Sequence, residues 1–351
     1  MTVFLPVCIS FILTSFLIYF FRKPSVKLGF VDKPGGRKTH KNPVPPIGGL
    51  VLVPVAVLTA LGFGYGFEDN LAFMMALTLL LFTGAVDDRT HIPAILRFGI
   101  QILAAFLVVV PGGAYLQDLG NMFGFGEFNL GYFALPFFIF CAVLLINAMN
   151  MIDGLDGLSG GIGLVILTAT AILTGEEFNH NILLFSFLAA LAGFLVFNMR
   201  HPFNEKASVF IGDSGSLAIG MTLCWICINA AKPEFETDAA IKPMAIAWVL
   251  AFPVMDAFAL FTKRLSEKRH PFDADRLHMH YILKDAGLSV SMTVSIILFI
   301  NVVYGFIGWT LHCFDMPVWP YTYVWLALLA CHTAIIFKAD TVQGLLKKRL
   351  A

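Results

Sequence analysis

The sequence predicts an all-α polytopic membrane protein with about eleven transmembrane helices, on three observations. First, its 351 residues are 58% hydrophobic and only 13% charged, with a mean hydropathy of +0.81; soluble domains carry about 25% charged residues. Second, apolar runs of the roughly 17–25 residues that a bilayer-spanning helix needs recur about eleven times. Third, the cations are segregated. With the N-terminus outside and an odd number of spans, 21 of the 23 Lys and Arg fall on the inner side, leaving only Lys232 and Lys242 outside. The positive-inside rule then fixes the orientation, with the C-terminus inside.

The run at 2–21 lacks both the preceding basic region and the small-residue cleavage site of a secretory signal, so it reads as a retained span. A basic inner segment holding Arg22, Lys23, Lys27, Lys33, Arg37, Lys38 and Lys41 separates it from 47–67. Runs at 71–86 and 94–110 flank a short inner loop with Arg89 and Arg97. A Gly-rich outer loop, 111–130, leads to 131–147. Runs at 158–174, 181–198, 214–231, 243–262, 288–310 and 321–338 complete the count, and the chain reads as one domain. Outer loops carry Glu68, Asp69, Glu176, Glu177, Glu234 and Glu236 in no ordered spacing, as a solvated rim. Of the six Cys, Cys224 and Cys227 form a C-x-x-C in mid-span without other ligands nearby, and read as packing residues.

Polar chemistry collects on the inner side in five segments: 22–46, 87–97, 147–160, 198–216 and 263–287. The first is kept irregular by Pro and Gly, holds His40, and ends in Pro45-Pro46-x-Gly48-Gly49. The second opens with Asp87-Asp88. Adjacent acids lie about 100° apart on a helix, so both meet one ligand only at a helix end or turn. They repel unless a cation separates them, and Arg97 is near enough to contribute. The third, "NAMNMIDGLDGLSGG", places Asn147, Asn150, Asp153 and Asp156 at steps of three. Its glycines argue for a helix that ends near Asn150 and a loop on which the four converge. Amide and carboxylate oxygens suit Mg²⁺. The fourth runs from Asn198 to "FIGDSGS", where a helix start offers free N–H groups to anions and Asp213 can carry a metal. The fifth holds Arg276, His278 and His280. Two histidines two apart do not share a helix face, so a phosphate-binding cluster suits them better than zinc. Asp256, inside the ninth run, is a functional candidate by its position. Read separately, each segment could be topogenic, capping or connecting; together they describe a Mg²⁺-dependent site for a phosphorylated substrate.

The Asp87-Asp88 pair, "NAMNMIDGLDGL", "FIGDSGS" and the His-bearing fifth segment, in this order, resemble the polyprenyl-phosphate N-acetylhexosamine-1-phosphate transferase family over essentially the whole chain. That resemblance implies transfer of a sugar 1-phosphate from a UDP-sugar to a membrane polyprenyl phosphate, with release of UMP and use of Mg²⁺, for which Mn²⁺ can substitute. It implies Asn150 and Asp213 as metal ligands, and Asp87 and Asp88 as the groups that bind or deprotonate the lipid phosphate. Arg97, Arg276, His278 and His280 would neutralise phosphate charge. Asp156 would read the uracil edge with Phe210 stacking on the ring, and Asn147, Asp153 and Asn198 would support the substrate. The stretch "PFDADRLHMHYIL" resembles the family's GlcNAc branch, which starts O-antigen and enterobacterial common antigen. Tyr281 stands where related loops tend to have a further His, and His91 where an acid is common.

The implied setting is a bacterial inner membrane, N-terminus periplasmic, C-terminus and active site cytoplasmic. Implied partners are UDP-GlcNAc, undecaprenyl phosphate, membrane lipid and a second copy of the chain, with no nucleic acid. Alternatives are another UDP-N-acetylhexosamine or UDP-MurNAc-pentapeptide as donor, an anionic-solute transporter, and a membrane scaffold. Transporters put their sites at the midplane and often show inverted repeats, neither of which is visible here.

Overall fold

A computed structural model describes residues 3–32, 43–90, 92–174, 180–232, 240–269 and 275–350. Lys33, Arg37, Lys38, His40 and Lys41 of the first polar segment, His91, residues 270–274 of the fifth segment, and the rim acids Glu176, Glu177, Glu234 and Glu236 lie outside the described residues.

Every apolar run becomes helix: α1 (Phe4–Lys27), α2 (Gly48–Gly62), α3 (Leu71–Thr90), α4 (Ala94–Val109), α5 (Ala134–Ile152), α6 (Leu158–Thr174), α7 (Asn181–Asn198), α8 (Gly212–Ala230), α9 (Pro243–Val249), α10 (Ala251–Ser266), α11 (Met279–Asp285), α12 (Val290–Cys313), α13 (Val318–Phe337) and α14 (Ala339–Leu350). Among the described residues extended pairing is limited to three isolated bridges. Six helices are long and apolar enough to cross a membrane, namely α1, α3, α5 with its leading 3₁₀ turn, α7, α12 and α13; the α9–α10 pair, taken as one bent span, makes a seventh. The protein is thus a multi-pass membrane protein. The other four expected runs are shorter or less apolar: α2, α4 and α6 have 15, 16 and 17 residues, and the 19-residue α8 opens on Gly-Asp-Ser-Gly-Ser.

The outer helices are patterned inside out, as lipid requires. On α1 the buried side chains are Pro6, Ser10, Thr14 and Ile18, while Phe4, Phe16 and Phe20 are exposed. Ser10 Oγ donates to Ser186 O of α7 at 2.7 Å, and Gly193 lets α7 approach the backbone of α1. Small and polar residues at a helix contact are how membrane helices pack without a hydrophobic driving force between them.

At the centre stands α8, on which every residue except Asp213 is buried. Glycines admit its neighbours. A Cβ at Gly49 of α2 would lie 2.1 Å from Gly215 Cα, one at Gly84 of α3 would lie 2.3 Å from Ser214 Cα, and one at Gly220 would lie 2.6 Å from Ile146 Cα of α5. Side chains at these contacts would hold the helices apart, so α2, α3 and α5 all meet α8 at backbone distance.

The expected ninth span breaks at Leu250, with α9 and α10 meeting at 75°. Pro253 supplies the cause: lacking an N–H, it cannot bond the carbonyl four residues back, and its ring crowds that turn.

Candidate active site

The polar segments gather at one end of the bundle, around the first turn of α8. The helix begins at Gly212, whose φ of +74° suits glycine; a Cβ there would also meet Asp88 Oδ2 at 2.6 Å. The Asp88 carboxylate of α3 accepts from the N–H groups of Asp213 (2.8 Å) and Ser214 (3.3 Å), capping the helix from outside. Next to it, α2 is started by carbonyls of the chain entering α8: Gly48 N donates to Phe210 O at 2.9 Å and Gly49 N to Ile211 O at 2.8 Å.

Asp213 is reached from two sides. Asn150 Nδ2 donates to its Oδ1 at 2.7 Å and to Ser216 Oγ at 2.9 Å, and the Asp87 carboxylate lies alongside. Asp87 in turn is ion-paired with Arg97 of α4 and accepts from Ile92 N at 2.7 Å. Asp87 and Asp88 therefore diverge from the last turn of α3 instead of closing on one ligand: one faces Arg97 and Asp213, the other the α8 backbone.

Of the four residues spaced by three, α5 carries Asn147 and Asn150 and ends at Ile152, two residues later than expected. The expected convergence of all four does not occur. Asn147 is turned away, its Nδ2 donating to Gln101 Oε1 of α4 at 2.6 Å and to Val143 O at 2.8 Å. Steps of 300° on an unbroken helix swing it towards α4 while Asn150 meets α8. Asp153 follows the helix end and is exposed to solvent, with the carboxylates of Asp213, Asp88, Asp156 and Asp32 as its charged neighbours. Asp156 pairs with Arg200 at 2.8 Å and accepts from Ala207 N at 3.3 Å. Asn198 spends its amide on the backbone, accepting from Gly157 N at 2.8 Å and donating to Val209 O at 2.9 Å; it shapes the loop at the start of α6. Phe210 is half-buried, its N–H donating to Pro45 O at 3.0 Å.

Opposite the acids lies a cationic side. Arg276 grips Asp285 (2.9 Å) and covers the Tyr281 ring at 4.6 Å. Partial burial and the neighbouring Arg276 hold Lys284 below the ordinary lysine value, with Arg200 acting in the same direction and Asp285 and Asp156 opposing. His280 and Tyr281 face the loop directly: a Cβ at Gly154 would meet His280 Nε2 at 2.5 Å and Tyr281 Oη at 2.8 Å. His280 is buried, and among the described residues its Nε2 has no hydrogen-bond partner. Burial, then the charge of His278, lowers its pKa to about 3. His278 stacks on His280 with ring centroids 5.3 Å apart.

Sequence reasoning did not single out Gln101, Arg200, Lys284, Arg264 or His332 as site residues. In the sequence Arg200 and Lys284 stand out only as inner-side cations, although Arg200 is two residues after Asn198 and Lys284 four after His280. Buried Arg264 holds Asp275 at 2.9 Å, and Asp275 in turn accepts from Leu277 N, anchoring the His-bearing segment.

Among the described residues no three carboxylate, thiol or imidazole side chains form a ready-made metal shell. The donor set nonetheless suits a hard cation. Two carboxylates side by side, Asp87 and Asp213, call for a positive charge, and Asn150 offers an amide oxygen because its nitrogen faces Asp213. Mg²⁺ takes one or two protein carboxylates plus substrate phosphates, which is the stock of ligands available here.

Residues 70–231, which include both aspartate motifs and the Asn-rich turn, match the profile described as Glycosyl transferase family 4. The undecaprenyl-phosphate alpha-N-acetylglucosaminyl 1-phosphate transferase of Escherichia coli K12 is 32% identical over 286 residues, covering 80% of this chain and 76% of that relative. The Haemophilus influenzae protein of that name is 33% identical over 283 residues, covering 80% and 79%. The Salmonella typhi one is 29% identical over 346 residues, covering 96% and 92%. With motifs, helical architecture and relatives in agreement, the chain is a member of glycosyl transferase family 4.

Proposed function

We propose that this protein transfers GlcNAc-1-phosphate from UDP-GlcNAc to undecaprenyl phosphate, giving undecaprenyl-diphosphate-GlcNAc and UMP. An oxygen of the acceptor phosphate forms the new P–O bond to the sugar-bearing phosphorus, and the bond from that phosphorus to the bridging oxygen breaks, its electron pair leaving on that oxygen with UMP. The observation that carries this reading is the oxygen cluster of Asn150, Asp213 and Asp87 at the start of α8, facing the cations Arg200, Arg276 and Lys284 across the Asp153–Asp156 loop. An acid pole beside a basic pole fits a diphosphate that brings its own cation.

Phosphoryl transfer asks for positioning and for stabilisation of spreading charge. Asn150 and Asp213 would hold Mg²⁺, with Mn²⁺ as a substitute; the ion supplies Lewis-acid polarisation of the phosphates. Arg97 orients Asp87 towards the acceptor phosphate, and Asp88 fixes the α8 N-terminus. Arg276 and His278 offset phosphate charge, and His280, which burial keeps neutral, can offer only a hydrogen bond. Asp156, held by Arg200, and Phe210 bind the uridine. The names of the three relatives support the GlcNAc donor and the undecaprenyl acceptor. The segregation of Lys and Arg supports eleven membrane-crossing segments, an N-terminus outside, and a site at the cytoplasmic face of a bacterial inner membrane.

The test is UMP release by the purified protein with undecaprenyl phosphate, Mg²⁺ and a panel of UDP-sugars. Turnover is expected with UDP-GlcNAc; turnover only with UDP-MurNAc-pentapeptide would overturn the donor, and no UMP with any sugar would overturn the reaction. Asp213→Asn should abolish activity while the protein still folds.

A further inference from the structure

Asp256 is a carboxylate buried in the bundle, one turn beyond the α9–α10 bend, and 1% exposed. An ionised group in such a place survives only if donors surround it. Three do, and each comes from outside α10. His278 Nδ1 lies 2.7 Å from Oδ2, Met279 N lies 3.1 Å from Oδ1, and His332 Nε2 of α13 lies 3.1 Å from Oδ1. A carboxylate can only accept, so the hydrogen-bond pattern fixes both rings: His278 carries its proton on Nδ1, and His332 on Nε2. Met279 N is the first N–H of α11, so Asp256 also caps the helix that presents His280. Among the described residues the other charged or titratable groups around His278 include His280, stacked on it, Tyr281, with its ring centroid 6.4 Å away, and Asp275, tied to Arg264. His332 itself is edge-on to Phe252 of α10, with ring centroids 5.9 Å apart.

Resting on the transfer reaction proposed above, we propose that Asp256 and His332 are positioning residues: His332 holds the Asp256 carboxylate, and Asp256 holds the His278 ring with Nε2 aimed at the substrate's phosphates, to which it donates when the ring carries both protons. This assigns a role to α13, which lies outside the stretch matched by the family profile. Rigid support of a phosphate-binding imidazole through a carboxylate on its other nitrogen has a physical logic already known at metal sites, where outer partners fix tautomer and ring angle. Losing His332 leaves Asp256 with two donors, frees it to shift, and lets His278 turn. Of the ligand-contacting groups only His278 is disturbed, and the phosphate charge it meets is spread most widely in the transition state, so the loss falls mainly on the rate.

The test compares His332→Phe, which keeps the ring packing without a donor, with His332→Gln, whose Nε2 can donate. His332→Phe should lower kcat roughly tenfold or more, with KM for UDP-GlcNAc and undecaprenyl phosphate near wild type, and His332→Gln should recover most of the rate. Wild-type kcat in His332→Phe, a loss confined to KM, or equal losses in both variants would overturn the proposal. A second measurement needs no variant: ¹⁵N-histidine NMR of the wild-type protein in lipid nanodiscs should find a proton on His278 Nδ1 and on His332 Nε2. A bare nitrogen at either position overturns the assignment. Failure of the wild-type protein to release UMP would count against the reaction alone, since the NMR result does not depend on turnover.

Discussion

Substituting Gly49 by Ala tests whether the site depends on backbone contact between α2 and α8. The added Cβ would stand 2.1 Å from Gly215 Cα, 2.2 Å from Gly215 N and 2.9 Å from Ile211 O. Carbon atoms rest at about 3.5 Å or more, so the helices would have to part by roughly 1.4 Å. Neither neighbour can yield as a flexible side chain would, because both are backbone. Overpacking of this kind costs about 1–3 kcal/mol. The larger effect should be on activity: α8 carries Asp213 and receives Asp88, and a displacement near 1 Å costs roughly a hundredfold in rate. Gly62→Ala, on the same helix with nothing within 4 Å of the new Cβ, is the control. The assay is thermal unfolding in detergent beside UMP release. Gly49→Ala matching Gly62→Ala in both would refute close packing as the device that sets the site.

Three other outcomes are expected. Asn147→Ala strands the buried Gln101 side chain and should destabilise by about 1–3 kcal/mol while KM for UDP-GlcNAc stays put; a raised KM would restore Asn147 to the substrate. Arg200→Ala leaves Asp156 with only Ala207 N from its two partners and should raise KM for UDP-GlcNAc about tenfold, near 1.4 kcal/mol, against which an unchanged KM would tell. His280 has a folded-state pKa of about 3, below its ordinary 6.5, so the unfolded chain takes up a proton first. Stability from this group is complete above pH 6.5 and falls as the pH drops towards 3, by at most about 1.4 kcal/mol per unit. Unfolding midpoints of wild type and His280→Gln should therefore converge or cross between pH 7 and pH 5; parallel curves would remove His280 as the cause.

Hydropathy located the helices well where polar or glycine residues bracket them: α6 and α7 begin and end at the expected 158–174 and 181–198. It failed at α9–α10, where the apolar run is continuous and only Pro253 marks the bend. The motifs around α8 were legible because their chemistry is local: Asp213 sits at a helix start, and Asn150 lies near a glycine break. The partners were not, because they come from distant helices. Nothing near Asn147 points to Gln101, and nothing near Asp256 points to His332, 76 residues later. Spacing alone also promised one convergent set of four, whereas α5 stays helical past Asn150 and divides them.

The burial of α8 has a consequence for how the chain assembles. A helix with no face to offer lipid, opening on Gly-Asp-Ser-Gly-Ser, gains little by entering the bilayer alone. It is made after α2, α3 and α5, and Gly49 of α2 and Gly84 of α3 already outline its berth. The helix is received by a vacancy that earlier segments have shaped, so a fault in either of those two glycines acts first on insertion.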